Sequence, residues 1–223
     1  MKPYYQDGSV MIYHGDCREV LPEITERPDL VLTDPPYMVS KVGRHDAVDS
    51  AVEGMDDPFW ILPATQQVYR VMATDAFCVS FYGWRQADHF LFAWRAAGLK
   101  PVGHLVWVKR QWGLGSYVRS KHESAYMLVK GTPRPNKVIA DVLDWQREPT
   151  KEHPTQKPVA ALVPVIEAIG PRLVLDPFLG SGSTLMAART LGVRAIGIEI
   201  DERYCEIAAR RCSQEVLGLE VAS

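Results

Sequence analysis

Cysteine is scarce in this 223-residue chain: Cys17, Cys78, Cys205 and Cys212 occur with no C-x-x-C spacing and no histidine cluster nearby. That pattern supports neither a disulfide framework nor a zinc site, so no metal is expected and the thiols should be buried and inert. No apolar run is long enough to cross a bilayer, and residues 1–15 lack the basic-then-apolar pattern of a secretory leader. A cytoplasmic protein without membrane association is the expectation. Internal repeats and low-complexity tracts are also missing. Nor is there an excess of positive charge: the formal net charge is −2, which alone does not favour a polyanionic partner.

What the chain has is core material. Its apolar share is 47%, ordinary for a globular protein, and its length suits one domain. Short apolar runs alternate with helical patterns. Strands are expected at 10–13, 30–32, 76–82, 102–108, 123–129, 173–175 and 194–199, with 102–108 and 123–129 forming an antiparallel pair at one edge. Helices are expected at about 18–24, 57–72, 86–97, 158–169 and 183–191, followed by a last amphipathic helix capped by Asp201.

Charge is unevenly distributed. Between Lys100 and Lys137 there are eight Lys or Arg against one acid, Glu123, whereas residues 1–57 hold twelve acids against five Lys or Arg. A basic run is often only a solvated face, but this one also contains Trp107, Trp112 and Tyr117, which favours a nucleic-acid surface. Residues 38–57 follow no sustained period and hold Gly43 and Gly54; a loop of that length inside a compact domain is disordered or functional.

Two motifs carry chemistry. Asp34-Pro35-Pro36-Tyr37 closes the apolar run Leu30-Val31-Leu32, placing a carboxylate, two prolines and an aromatic at a strand's carboxyl edge, where ligands bind in open parallel sheets. Asp34 can accept a hydrogen bond from an exocyclic amine. The prolines lack N–H groups and leave their carbonyls free to accept a second, and Tyr37 offers a face for a planar base. The second motif follows Leu173-Val174-Leu175: Gly180-x-Gly182 opens a helix, and Glu199 stands nineteen positions after Gly180 at the end of the next strand. This is a nucleotide-binding βαβ layout, in which glycines admit the ligand to the backbone and the acid can hold ribose hydroxyls. Three features turn it from a dinucleotide. Leu185 stands where a third glycine would be needed, Asp176 would repel a pyrophosphate, and Phe178 offers a cation-tolerant face. An NAD-dependent oxidoreductase is therefore the more distant reading.

With His153-Pro154-Thr155-Gln156-Lys157-Pro158 and Asp176-Pro177-Phe178-Leu179-Gly180-Ser181-Gly182-Ser183-Thr184, the chain resembles the amino-group DNA methyltransferases of the permuted (beta) class from about Gly15 to about Arg211. The resemblance implies an α/β, doubly wound, Rossmann-like fold with a mostly parallel seven-stranded sheet and one antiparallel strand near the edge, the whole of 1–223 forming one catalytic domain. It implies S-adenosylmethionine (SAM) as methyl donor and a flipped-out adenine N6 in duplex DNA as acceptor, with cytosine N4 as the alternative. A carbon-5 cytosine reaction does not fit, because no cysteine follows a proline.

By the same resemblance Asp34, Pro35, Pro36 and Tyr37 are catalytic. Asp16 and Cys17 are placed at the cofactor adenine, although Asp16 is equally suited to capping the following helix. His153, Thr155 and Lys157 are donors for the methionyl carboxylate. Asp34, Asp176, Phe178, Gly180, Ser181, Gly182, Ser183, Thr184 and Glu199 complete the cofactor set. DNA contacts are expected from Lys41 and Arg44, from Lys109, Arg110, Trp112, Tyr117, Arg119, Lys121 and His122, and from the connection 131–152. Double-stranded DNA is the expected partner, a homodimer with a second copy of the chain is the expected assembly, and the enzyme is either a solitary methylase or one partner of a separate cognate restriction endonuclease.

Overall fold

The computed structural model describes residues 1–36, 60–113, 117–145 and 156–220, with 215–220 as helical backbone only. Tyr37, Lys41, Arg44, His153, Thr155 and the expected loop at 38–57 lie outside the described residues.

The chain forms β1 (Tyr5–Gln6), β2 (Val10–His14), α1 (Cys17–Val20), β3 (Leu30–Thr33), α2 (Ile61–Val71), β4 (Ala76–Phe81), α3 (Ala87–Ala96), β5 (Lys100–Val108), β6 (His122–Lys130), β7 (Val142–Asp144), α4 (Val159–Ile169), β8 (Leu173–Asp176), α5 (Ser183–Thr190), β9 (Arg194–Glu199) and α6 (Glu202–Glu220). The strands make one sheet in the order β1-β2-β9-β8-β3-β4-β6-β5-β7. From β2 to β4 every pairing is parallel, and β6 runs antiparallel to both β4 and β5. The sheet is thus mostly parallel with an antiparallel strand toward one side, as expected, but among the described residues it has nine strands rather than seven. Two short strands account for the difference: β1 adds antiparallel to β2, and β7 adds parallel to β5, so the β5–β6 pair lies one strand in from the edge.

Strands β3, β4 and β8 are buried along their whole length, which is why they read as continuous apolar runs. Helices α1 to α3 cover one face over Val31, Cys78, Leu175 and Ile198. Helices α4 to α6 cover the other over Leu30, Leu32, Val79 and Val174. Each of these buried aliphatic side chains contributes about 1.5–3 kcal/mol. All four cysteines are buried, and none is in a disulfide.

Register between the two central strands is pinned by Asp29. Its carboxylate accepts from the backbone N–H groups of Arg172 at 3.0 Å and Leu173 at 2.9 Å, which sets Leu30 opposite Val174 and Val31 opposite Leu175. On the far side, Trp107 donates its indole N–H to the Ala161 carbonyl at 2.8 Å and packs on Phe81, tying β5 to α4. The first helix is shorter than expected: after Val20 the chain tightens into a single 3₁₀ turn containing Pro22. No described helix is long and apolar enough to cross a membrane.

Candidate active site

Neighbouring strands β3 and β8 send the chain in opposite directions. After β3 it continues to β4 on one side, and after β8 it continues through α5 to β9 on the other. Their diverging connections leave a crevice at the carboxyl edge, the switch point where open α/β sheets bind ligands. Asp34 leaves β3 at that point and the turn 177–182 leaves β8. An open cleft of about 590 Å³ lies between them, lined by Asp34, Lys157, Asp176, Phe178 and Gly180 to Thr184 without Gly182, and also by Thr33, Phe81, Gln156, Leu162, Leu179 and Tyr204. The two ends of the polypeptide that carry the motifs therefore meet in one cavity.

Asp34 is half-buried at its mouth, and the Lys157 ammonium pairs with its carboxylate. The same ammonium stands 4.9 Å from the centre of the Phe81 ring. Lys157, expected to face a ligand carboxylate, pairs here with the acid that follows β3. Pro35 is buried, lines a second, smaller pocket together with Val68, Trp94 and Leu99, and has its φ fixed by its ring. That fixes the path by which the backbone leaves β3.

The glycine turn is braced from within. Asp176 is 3% exposed and accepts from the Thr33 hydroxyl at 2.8 Å and the Phe178 N–H at 3.1 Å, joining the ends of β3 and β8. Burial raises its carboxyl to about 6 against those hydrogen bonds, so at neutral pH the anion still predominates. Glu199 accepts from Gly180 N–H at 2.7 Å and Asp201 N–H at 2.9 Å, and burial raises its carboxyl too. It braces the two turns through backbone groups and does not line the cleft wall.

Gly180 and Gly182 both adopt left-handed backbone, with φ of +53° and +88°. A Cβ on Gly182 would come within 3.0 Å of Ala208, whereas one on Gly180 would meet no atom within 4 Å and would project into open space. Ser181 accepts from Arg211 of α6 through its carbonyl at 2.6 Å. Thr184 reaches the Leu32 carbonyl at 3.4 Å. Among the described residues the Ser183 hydroxyl, buried at the first turn of α5, has no hydrogen-bond partner, and it lies beside the N–H groups of the helix start.

Other expected residues sit elsewhere. Asp16 caps α1 by accepting from Arg18 N–H at 2.8 Å and pairs with the Arg18 guanidinium. The adjacent Gly15 N–H donates to the Glu199 carbonyl at 2.9 Å, so this turn shares the carboxyl edge without lining the cleft. Cys17 is buried in the core, its thiol pushed up to about 12 by burial. Sequence reasoning missed Phe81, Gln156 and Tyr204. Phe81 ends a strand adjacent to β3 and Gln156 lies inside a quoted motif, so both had a positional signal; Tyr204 read as the apolar side of a helix.

The basic segment forms a hairpin. Lys109 N–H donates to Lys121 and Gly113 N–H to Ser120, extending the β5–β6 ladder past the sheet, while 114–116 lie outside the described residues. Because β5 runs in the same sense as β4, this hairpin leaves the sheet at the edge that carries Asp34. Arg110, Trp112, Tyr117, Arg119, Lys121 and His122 are exposed, and Tyr117 is fully so. Lys109 is engaged at the base, paired with Glu123 and placed 5.3 Å from the Trp145 ring. The connection after β6 is partly pinned rather than free: Lys137 N–H donates to the Ala168 carbonyl and its ammonium pairs with Glu167 at 2.8 Å. Its residues 146–152 are outside the described residues.

A family model described as DNA methylase (N6_N4_Mtase) matches residues 28–142 and 132–210. The chain belongs to this family of DNA methylases. YubD of Escherichia coli (strain K12), a methylase by inference, is 44% identical over 201 residues, covering 88% of this chain and 87% of YubD. The type II methyltransferase M.ScaI of Streptomyces caespitosus is 27% identical over 98% of this chain and 86% of its own length. Among solved structures, the M1.HpyAVI–SAM complex superposes with a TM-score of 0.72 at 23% identity, covering 91% of this chain and 99% of that one. The cytosine-N4-specific PvuII DNA methyltransferase superposes at 0.74 with 17% identity, covering 93% and 88%. These confirm the methyltransferase fold, and family membership displaces the oxidoreductase reading. The cleft of this DNA methylase fits a cofactor with a cationic centre and an amino-acid tail. Asp34 and Asp176 supply anions, Phe178 supplies an aromatic face, Gly180 leaves room against the backbone, and the Ser183 hydroxyl has no partner among the described residues.

Proposed function

We propose that this DNA methylase is of the permuted, Asp-Pro-Pro-Tyr type and transfers a methyl group from SAM to N6 of an adenine rotated out of duplex DNA. The observation that carries the reading is the single cleft shared by Asp34 and the turn around Gly180. SAM, when bound, supplies a methyl group on a positively charged sulfur, ready for in-line displacement.

An adenine N6 lone pair is delocalised into the ring and is a poor nucleophile. The Asp34 carboxylate and the Pro35 carbonyl accept the two amine hydrogens and favour a more tetrahedral nitrogen, which is electrostatic preorganisation with positioning. Lys157 orients the Asp34 carboxylate, and Tyr37 provides the stacking face for the base. The glycine turn, Ser183 and the start of α5 hold the cofactor's tail, while Asp176 and Phe178 face its cationic part. No covalent enzyme intermediate is required.

Adenine is favoured over cytosine because Asp34 opens the tetrapeptide, where cytosine N4 enzymes usually carry serine. A relative 28% identical over 90% of this chain, YhdJ of Escherichia coli (strain K12), is named as a DNA adenine methyltransferase. We read residues 1–223 as one catalytic domain working in the cytoplasm as a homodimer, either as a solitary methylase or as the partner of a separate cognate endonuclease. The deciding experiment is incubation with tritiated SAM and unmethylated chromosomal DNA, followed by nucleoside digestion. Label in N6-methyladenine is the expected outcome; label in N4-methylcytosine moves the enzyme to the other branch, and no label in DNA removes the activity.

A further inference from the structure

Trp84 is 75% exposed, and it stands at a place where exposure needs a reason. It follows β4 by three residues in a single 3₁₀ turn, Trp84–Gln86, and the Arg85 guanidinium lies 5.6 Å from the centre of its ring. Phe81, the last residue of β4, is a wall of the cleft that holds Asp34. The sheet order gives the lateral placement. β3 carries Asp34, β4 beside it carries Trp84, and after β6 comes β5, which sends the basic hairpin off the same edge. At roughly 4.8 Å per strand, Trp84 lies about one spacing from the acceptor strand and the hairpin about three, or roughly 14 Å. A major groove is about 12 Å wide, so a duplex engaged by the hairpin while delivering a base to Asp34 passes over Trp84.

We infer that Trp84 and Arg85 form a contact with the DNA duplex at the vacated position, the Trp84 ring stacking on a base beside the gap and the Arg85 guanidinium pairing with an adjoining phosphate. The inference rests on the base-flipping reading above. Flipping costs a few kcal/mol of lost stacking, and an aromatic ring beside the gap restores part of it. The pairing of residues suits this chemistry: an indole stacks on any base, and a guanidinium can bind phosphate oxygens in two directions.

The test compares wild type with Trp84→Ala, Trp84→Phe and Arg85→Gln. Duplex affinity is measured across a salt series by fluorescence anisotropy on fragments of unmethylated chromosomal DNA, and tritiated methyl incorporation is measured into the same DNA. SAM affinity and sedimentation are followed in parallel. Trp84→Ala should lower kcat/KM for duplex at least tenfold and weaken duplex binding at least fivefold, with SAM affinity and sedimentation unchanged. Trp84→Phe should stay within threefold of wild type. Arg85→Gln should flatten the plot of log affinity against log salt by about one phosphate contact. Wild-type duplex binding and methyl transfer by Trp84→Ala would overturn the inference. So would a change confined to sedimentation, which would mark Trp84 as a contact between protein copies. Failure of the wild type to methylate any DNA is a different result, and it overturns the underlying activity instead.

Discussion

One carboxylate, Asp34, faces both a lysine of its own chain and the position proposed for the substrate amine. Its pairing with Lys157 restricts its rotamers before a base arrives, so the acceptor is oriented in advance. Asp34→Asn keeps the shape but loses the charge, and should lower methyl transfer about 10²- to 10³-fold, the scale of removing one preorganised electrostatic group. SAM affinity by calorimetry should persist; unchanged turnover would remove the catalytic assignment. Asp176 is tested through pH. Burial raises its folded-state value to about 6, above the unfolded value near 4, so the folded protein holds this proton more tightly. The resulting stabilisation is complete below about pH 4 and is lost as pH rises through about 6. Melting temperatures of wild type minus Asp176→Asn should therefore fall between pH 4 and pH 6.5 and then level. A difference that rises over that interval would contradict the assignment.

The turn from β8 into α5 separates folding from binding within three residues. Both glycines have positive φ, and an alanine there costs about 1–2 kcal/mol in backbone strain. Gly182→Ala also brings its methyl to 3.0 Å from Ala208, so it should destabilise by about 2 kcal/mol or more. Gly180→Ala meets no described neighbour within 4 Å and should cost only the strain, yet it adds a methyl to a residue that lines the cleft and should weaken SAM binding at least tenfold. Denaturant titration and calorimetry on the two variants should give opposite rankings; equal SAM affinities would show that the ligand does not approach this turn. The turn was legible in sequence because left-handed glycines, a strand end and a helix start occur in a fixed order. The edge strands β1 and β7 were not. Two and three residues long, they are too short for periodicity to register, and they exist because β2 and β5 offer unpaired edges. Lys157 and Glu199 were found by position, but their partners were not, since Asp34 lies 123 positions from Lys157 and only the folded sheet brings them together.

The net charge of −2 conceals a local concentration of positive charge, because the exposed basic hairpin leaves the sheet at the same edge as the cleft. Sequence counting found the charge, and the direction of β5 decides what it faces. Replacing residues 110–120 by a two-residue Asn-Gly turn closes the ladder without disturbing the sheet, since Lys109 and Lys121 already pair across its base. The exchange removes Arg110 and Arg119 together with Trp112 and Tyr117, but nothing that lines the cleft. SAM affinity and melting temperature should therefore stay near wild type. Two lost phosphate contacts should reduce the slope of log affinity against log salt by about 1.8. Because the aromatic side chains are lost too, duplex binding should remain weaker than wild type even where high salt has screened the charges. If duplex affinity and its salt slope are unchanged, the hairpin is only a solvated face, and DNA must approach the Asp34 edge from the side of the connection between β3 and α2.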